Sequence, residues 1–166
     1  VVEMVLWSGG LQREGITRSA LVLTETAGAE ITGPADSADE PAGELQDYVL
    51  EPDGAVIRAR LIGDLARRHD ARMMDSTIAY MTAPAPVDSP LLQCFQVLEQ
   101  VPYSLKNVTA LIGGAQVGTL EIKKRGIDID PAQLRGTLPL KGSGSATLIL
   151  TRVQGKKTAI LAQRLP

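Results

Sequence analysis

Rings and metal-binding side chains are scarce in this chain. Its 166 residues include one cysteine, one histidine, one tryptophan, one phenylalanine and three tyrosines. The lone Cys94 excludes an internal disulfide and any multi-cysteine metal site, and it fits a reducing compartment such as the cytoplasm. With aromatics at 3%, a sheet that stacks bases on rings, as in an RRM, loses support. No apolar run approaches the length that spans a bilayer, and no signal-peptide pattern is present. The H-E-x-x-H, G-x-S-x-G and Walker A motifs are missing too. His69 continues an apolar helical stripe and reads as a helix-end residue at the rim of the core. Cys94 reads as a buried, inert thiol in a strand. Residues 113–118 (GGAQVG) lie between a helix and a strand, the wrong side for a dinucleotide loop. Residues 142–145 give only a weak signal for a phosphate-touching loop. No catalytic, cofactor-binding or metal-binding residue is assigned.

What is present is aliphatic and unevenly charged. Hydrophobic residues make up 44%, so the core is built from Leu, Ile, Val and Ala. The length suits one ordinary domain or two small subdomains, without disulfide or metal support. The net charge is −2, but residues 1–56 carry 2 basic and 11 acidic side chains, whereas residues 118–166 carry 9 and 3. A last third at +6 is the footprint of a polyanion-facing surface, or else of a solvated basic face. The densest basic run is Lys123-Lys124-Arg125, at the end of an apolar strand. Arg135, Lys141, Arg152, Lys156 and Lys157 follow.

In order, residues 2–7, 19–24 and 29–32 read as strands, a small β-unit without its partners. The chain opens inside such a run, which reads as the C-terminal piece of a longer protein. Residues 33–47 (GPADSADEPAGELQD) read as an acidic linker, too polar to offset its ordering entropy. Residues 48–50 form a strand. A single helix is expected over 54–69, capped by Asp53 and striped by Ile57, Leu61 and Leu65. Strands follow at 72–74 and 77–81, then a proline-rich connector at 82–90 and a strand at 93–101. A helix over 105–112 is expected to end at Gly113-Gly114 in a left-handed cap. Residues 118–124 are a strand, Asp130-Pro131 opens a short helix, and 146–151 with 158–162 make a hairpin. The alternation implies an α+β fold, a mixed or antiparallel sheet with helices packed on one face.

Four segments carry a resemblance: residues 48–59 (YVLEPDGAVIRA), 78–82 (IAYMT), 120–134 (LEIKKRGIDIDPAQL) and 146–152 (ATLILTR). Together they resemble the C-terminal part of bacterial class I S-adenosylmethionine-dependent methyltransferases that end in a THUMP-like domain. The resemblance implies the last strands of a methyltransferase domain over 1–32 and an acidic linker over 33–45. It further implies a ferredoxin-like segment over 46–83 and a THUMP-like domain over 90–166. It also implies that S-adenosylmethionine serves the full-length protein, and that the cofactor turn and catalytic motif lie upstream of this chain. By analogy with THUMP domains, the partner would be structured RNA, tRNA or rRNA. Lys123, Lys124, Arg125, Arg135, Lys141, Lys156 and Lys157 are then the candidate RNA-binding residues. The alternative is a structural or homodimerising module with no nucleic-acid contact.

Overall fold

Strand pairing gathers the β-runs into two sheets. The computed structural model describes residues 3–25, 28–35 and 37–166. The smaller sheet pairs β1 (Arg18–Leu23) with β2 (Gly28–Gly33) antiparallel. The larger contains β3 (Tyr48–Pro52), β4 (Arg72–Asp75), β5 (Ile78–Ala83), β6 (Leu92–Pro102), β7 (Val117–Lys124), β8 (Gly144–Val153) and β9 (Lys156–Arg164). Their spatial order is β4-β5-β3-β6-β9-β8-β7. Every neighbouring pair is antiparallel except β7 with β8. β6 is the shared strand: Tyr48 to Pro52 register against one edge and Arg164 to Thr158 against the other. The expected α+β architecture is therefore present as one continuous mixed sheet.

Strand alternation sends successive side chains to opposite faces. One face carries all four α-helices of the described residues. α1 (Gly54–Ala59) and α2 (Ile62–Arg68) cover Leu50, Met73, Met81 and Cys94. α3 (Leu105–Gly114) and α4 (Pro131–Thr137) cover Leu120, Leu148, Leu150 and Leu161. The opposite face holds Val49, Met74, Ile78, Tyr80, Phe95, Ile149 and Ile160, none more than 3% exposed. No helix among the described residues covers that face. The sheet curls over it, helped by irregular registers in β4, β6 and β7, which increase local twist. The curl brings the β8–β9 turn onto β4. Gln154 donates its N–H to the Met74 carbonyl at 2.9 Å, and Gly155 donates to Asp75 Oδ2 at 2.7 Å.

Several expectations need correction. Residues 3–7 of the expected first strand form no strand, and Val2 lies outside the described residues. A strand needs a neighbour to bond, and here Met4, Leu6 and Trp7 remain exposed. The single helix over 54–69 is two helices, broken at Arg60, which adopts left-handed φ 56, ψ 43. Its N–H bonds back to Ile57 and Val56 carbonyls, closing α1. The apolar stripe survives the break because Leu61 and Leu65 restart it beneath the same strands. α3 runs through Gly114, and the positive φ falls on Gln116 rather than on a glycine.

The acidic stretch after β2 is a strap packed on α2 (Asp36 lies outside the described residues). Arg67 binds the Ala38 carbonyl and Glu40 at 2.9 Å, Ser37 Oγ at 2.5 Å and Asp64 at 3.0 Å. Gly63 makes this approach possible, since a Cβ there would overlap the Ala38 carbonyl. Ala42 then bridges Met73 of β4, and Gly43 donates to the Met73 carbonyl at 2.9 Å. Composition hid this because polar contacts, not apolar burial, hold the strap. Gly63→Ala is expected to lift it from α2 and cost about 2 kcal/mol, the scale of overpacking. A thermal melt within about 1 °C of the parent would show that the strap yields freely.

Candidate nucleic-acid interface

The candidate basic residues fall into three environments. β7 alternation puts Glu121, Lys123 and Arg125 towards the curled face and Lys124 towards the helices. On the curled face, Lys123 Nζ lies 2.7 Å from Glu51 Oε2 and 3.7 Å from Glu121. Arg125 lies 3.8 Å from Glu51 Oε1 and donates to the Ala79 carbonyl at 3.4 Å. Its guanidinium carbon sits 4.9 Å from the centre of the Tyr80 ring, within cation–π range. Lys123 and Arg164 both stand 5.6 Å from the Phe95 ring centre, and Arg164 reaches Glu121 at 3.8 Å. Tyr80 donates its hydroxyl to Glu51 at 3.3 Å. Burial first, and the Glu51 carboxylate second, push the Tyr80 phenol well above its usual range, so it remains a donor.

This cluster joins β3, β5, β6, β7 and β9. It locks the rim of the curled sheet: Lys123 and Arg125 are held by protein carboxylates and carbonyls. Sequence reasoning missed Glu51, Tyr80, Phe95, Glu121 and Arg164 as its members. They are scattered over more than 100 positions, and only the curl assembles them.

A second group surrounds the C-terminal end of β7. Lys124 pairs in register with Leu150, and Lys157 and Lys156 with Arg152 and Val153. Lys124 is exposed and donates to the Ile129 carbonyl at 2.6 Å. Arg152 donates to the Gly126 carbonyl at 3.0 Å. Tyr103 N–H bonds the Lys157 carbonyl at 2.9 Å, which brings the start of α3, with Lys106, to the same end. Lys106, Lys156 and Lys157 are exposed and have no side-chain partner among the described residues.

The remaining two candidates stand apart. Arg135 donates to the Leu120 carbonyl at 2.5 Å, halfway along β7. Lys141 is at the opposite end, where Gly142 N–H bonds the Val117 carbonyl. The eight residues of β7 span about 25 Å, so Lys141 does not join the second group. Nor is residue 142 a phosphate cradle: a Cβ at Gly142 would overlap the Gln116 carbonyl, so that space belongs to the chain itself. Residues 113–118 likewise run from α3 into β7. Neither glycine stretch fits S-adenosylmethionine. His69 closes α2, and burial, with Arg68 nearby, lowers its pKa. Burial raises the Cys94 thiol. No group of residues that could hold a metal occurs among the described residues. No helix among them is long and apolar enough to cross a membrane.

Comparison with known proteins meets this architecture at the same place. Residues 92–164, from β6 to the end of β9, match the THUMP domain-like family. That match marks residues 92–164 as the THUMP-like part of the chain. The chain is 35% identical over 153 residues to two Mycobacterium tuberculosis proteins, from strains CDC 1551 / Oshkosh and ATCC 25618 / H37Rv. Each is named an uncharacterized S-adenosylmethionine-dependent methyltransferase. The match covers 92% of this chain but 41% of those proteins. The chain is also similar in fold to the crystal structure of a protein described as a methyltransferase from Porphyromonas gingivalis W83. There the TM-score is 0.70 at 24% identity, covering 88% of this chain and 37% of that one.

Proposed function

We propose that this chain is the accessory region of an S-adenosylmethionine-dependent RNA methyltransferase, working in the cytoplasm. It binds structured RNA, tRNA or rRNA, and positions it for a catalytic domain that precedes it. Residues 1–32 are read as the last strands of that domain, 33–45 as the connection, 46–83 as a ferredoxin-like segment and 90–166 as the RNA-facing THUMP-like domain. The observation that carries the reading is the second basic group: Lys106, Lys156 and Lys157 have no side-chain partner among the described residues and share one sheet end with Lys124 and Arg152. Unpartnered lysines suit phosphates, which they hold without reading sequence.

Fluorescence anisotropy with labelled bulk tRNA tests this. Micromolar binding should weaken steeply with salt, and Lys156→Glu/Lys157→Glu should cost about tenfold and flatten the salt slope by about two. Binding that ignores both salt and this variant would remove the reading. The second reading, a dimerising or packing module, draws on the exposed Leu6, Trp7, Leu21 and Leu23. Salt-insensitive self-association without RNA binding would favour it.

A further inference from the structure

Between the start of α3 and α4 lies a groove of about 420 Å³. Tyr103, Leu105, Ile129 and Leu134 form its apolar walls, and Asp128 and Gln133 supply polar groups. We infer that this groove takes one unstacked nucleobase bearing an exocyclic amino group, cytosine or adenine being the simplest cases. The inference rests on the RNA reading above and adds what the protein would hold besides phosphate.

The aromatic inventory singles out Tyr103. Tyr80 and Phe95 are buried and carry cations on their rings, and Tyr48 packs into the core beneath α1 and α2. Trp7 is exposed but far along the chain from the basic third. Tyr103 is half-buried, sits in the groove and lies among the lysines. Leu105 beside it is 51% exposed, an apolar surface that a flat ring would cover. Asp130 also lines the groove, but its Oδ1 already accepts the Ala132 and Gln133 N–H groups as the α4 cap. Asp128 is exposed and has no partner among the described residues. An ionised carboxylate only accepts, so it suits an amino donor, as in the pairing of Asp or Glu with cytosine N4. Uracil places the acceptor O4 where these bases carry the amino group, which leaves only its N3–H as a donor to Asp128.

Charge orders the rest. Each neighbouring lysine is tied to a wall residue: Lys157 through its carbonyl on Tyr103 N–H, Lys124 through its ammonium on the Ile129 carbonyl, and Lys106 by following Leu105. Phosphates on either side of the base meet these lysines, while Asp128 keeps phosphate out of the groove itself. A base in a duplex is stacked and paired, so only single-stranded nucleotides can enter.

Anisotropy at one fixed salt, using the intact chain with labelled oligocytidylate, oligoadenylate, oligouridylate and a blunt RNA duplex, decides the matter. Oligocytidylate and oligoadenylate should bind about tenfold tighter than oligouridylate, and Tyr103→Ala should weaken oligocytidylate about tenfold. Tyr103→Ala could disturb folding, so Asp128→Asn, an exposed site, carries the second arm. Its amide can also donate to uracil O4, so the preference among the three single strands should collapse. Equal affinity for all three single strands, or a preference untouched by Asp128→Asn, overturns the inference. If duplex binding then still falls with Lys156→Glu/Lys157→Glu, the RNA reading survives alone. If no RNA binds, both fall.

Discussion

Glu51→Ala should destabilise the protein by about 2–3 kcal/mol, between the small value of exposed ion pairs and the cost of breaking a buried one. The Glu51 and Lys123 side chains are 19% and 20% exposed, hence the discount from the buried limit. Alanine would leave Lys123 and Arg125 facing each other without their shared carboxylate, and Tyr80 without its acceptor. At this chain length each kcal/mol shifts the melting temperature by about 2–4 °C, so a fall of roughly 5–10 °C is expected. Glu51→Ala combined with Lys123→Met should lose less than the two single losses added, because the second change removes an orphaned cation. A melting temperature within about 1 °C of the parent would mean that water screens the cluster and that the curl holds by apolar packing alone.

Asp75→Ala should cost about 3 kcal/mol, and its effect should depend on pH. Asp75 is 5% exposed. It accepts Thr77 N–H at 2.9 Å and Thr77 Oγ1 at 2.7 Å, and it takes the Gly155 N–H that pins the β8–β9 turn to β4. Bonds to a charged acceptor are the stronger kind, and a buried N–H left unmade carries its own penalty. The Thr77 hydroxyl, and then the Thr77 and Gly155 N–H groups, lower the Asp75 pKa below its ordinary 3.8. A depressed carboxylate contributes stability that is fully present above its unfolded value and lost as pH falls through the folded value. The parent should therefore lose stability as pH drops below about 4, and Asp75→Asn should lose less over that interval. Parallel acid-melting curves for the two would show that this carboxylate does not set the seam.

How far the sequence speaks depends on the range of the contacts involved. β3, β5, β7 and the caps at Asp53 and Asp130 follow from local pattern, because each element needs only its own residues to declare itself. The break at Arg60 was hidden, since a left-handed arginine leaves no mark in an apolar stripe. The basic run was legible as charge but not as placement. Lys123 and Arg125 look free until β3 and β5 arrive with Glu51, Ala79 and Tyr80, more than 40 residues away. The lysines of the β8–β9 turn kept the openness that their sequence suggested. Nothing in the helical stripe marks Arg67, and its grip on the strap depends on a turn of chain that composition marks as loose.

That strap also bears on colloidal behaviour. β4 ends the seven-stranded sheet, and an end strand with free N–H and C=O groups is a template on which another molecule's strand can polymerise. The bridge of Ala42 to Met73 and the bond from Gly43 occupy part of that template. A segment that reads as a mere tether thus serves as a guard against cross-β growth, and loosening it would endanger solubility before it endangered the fold.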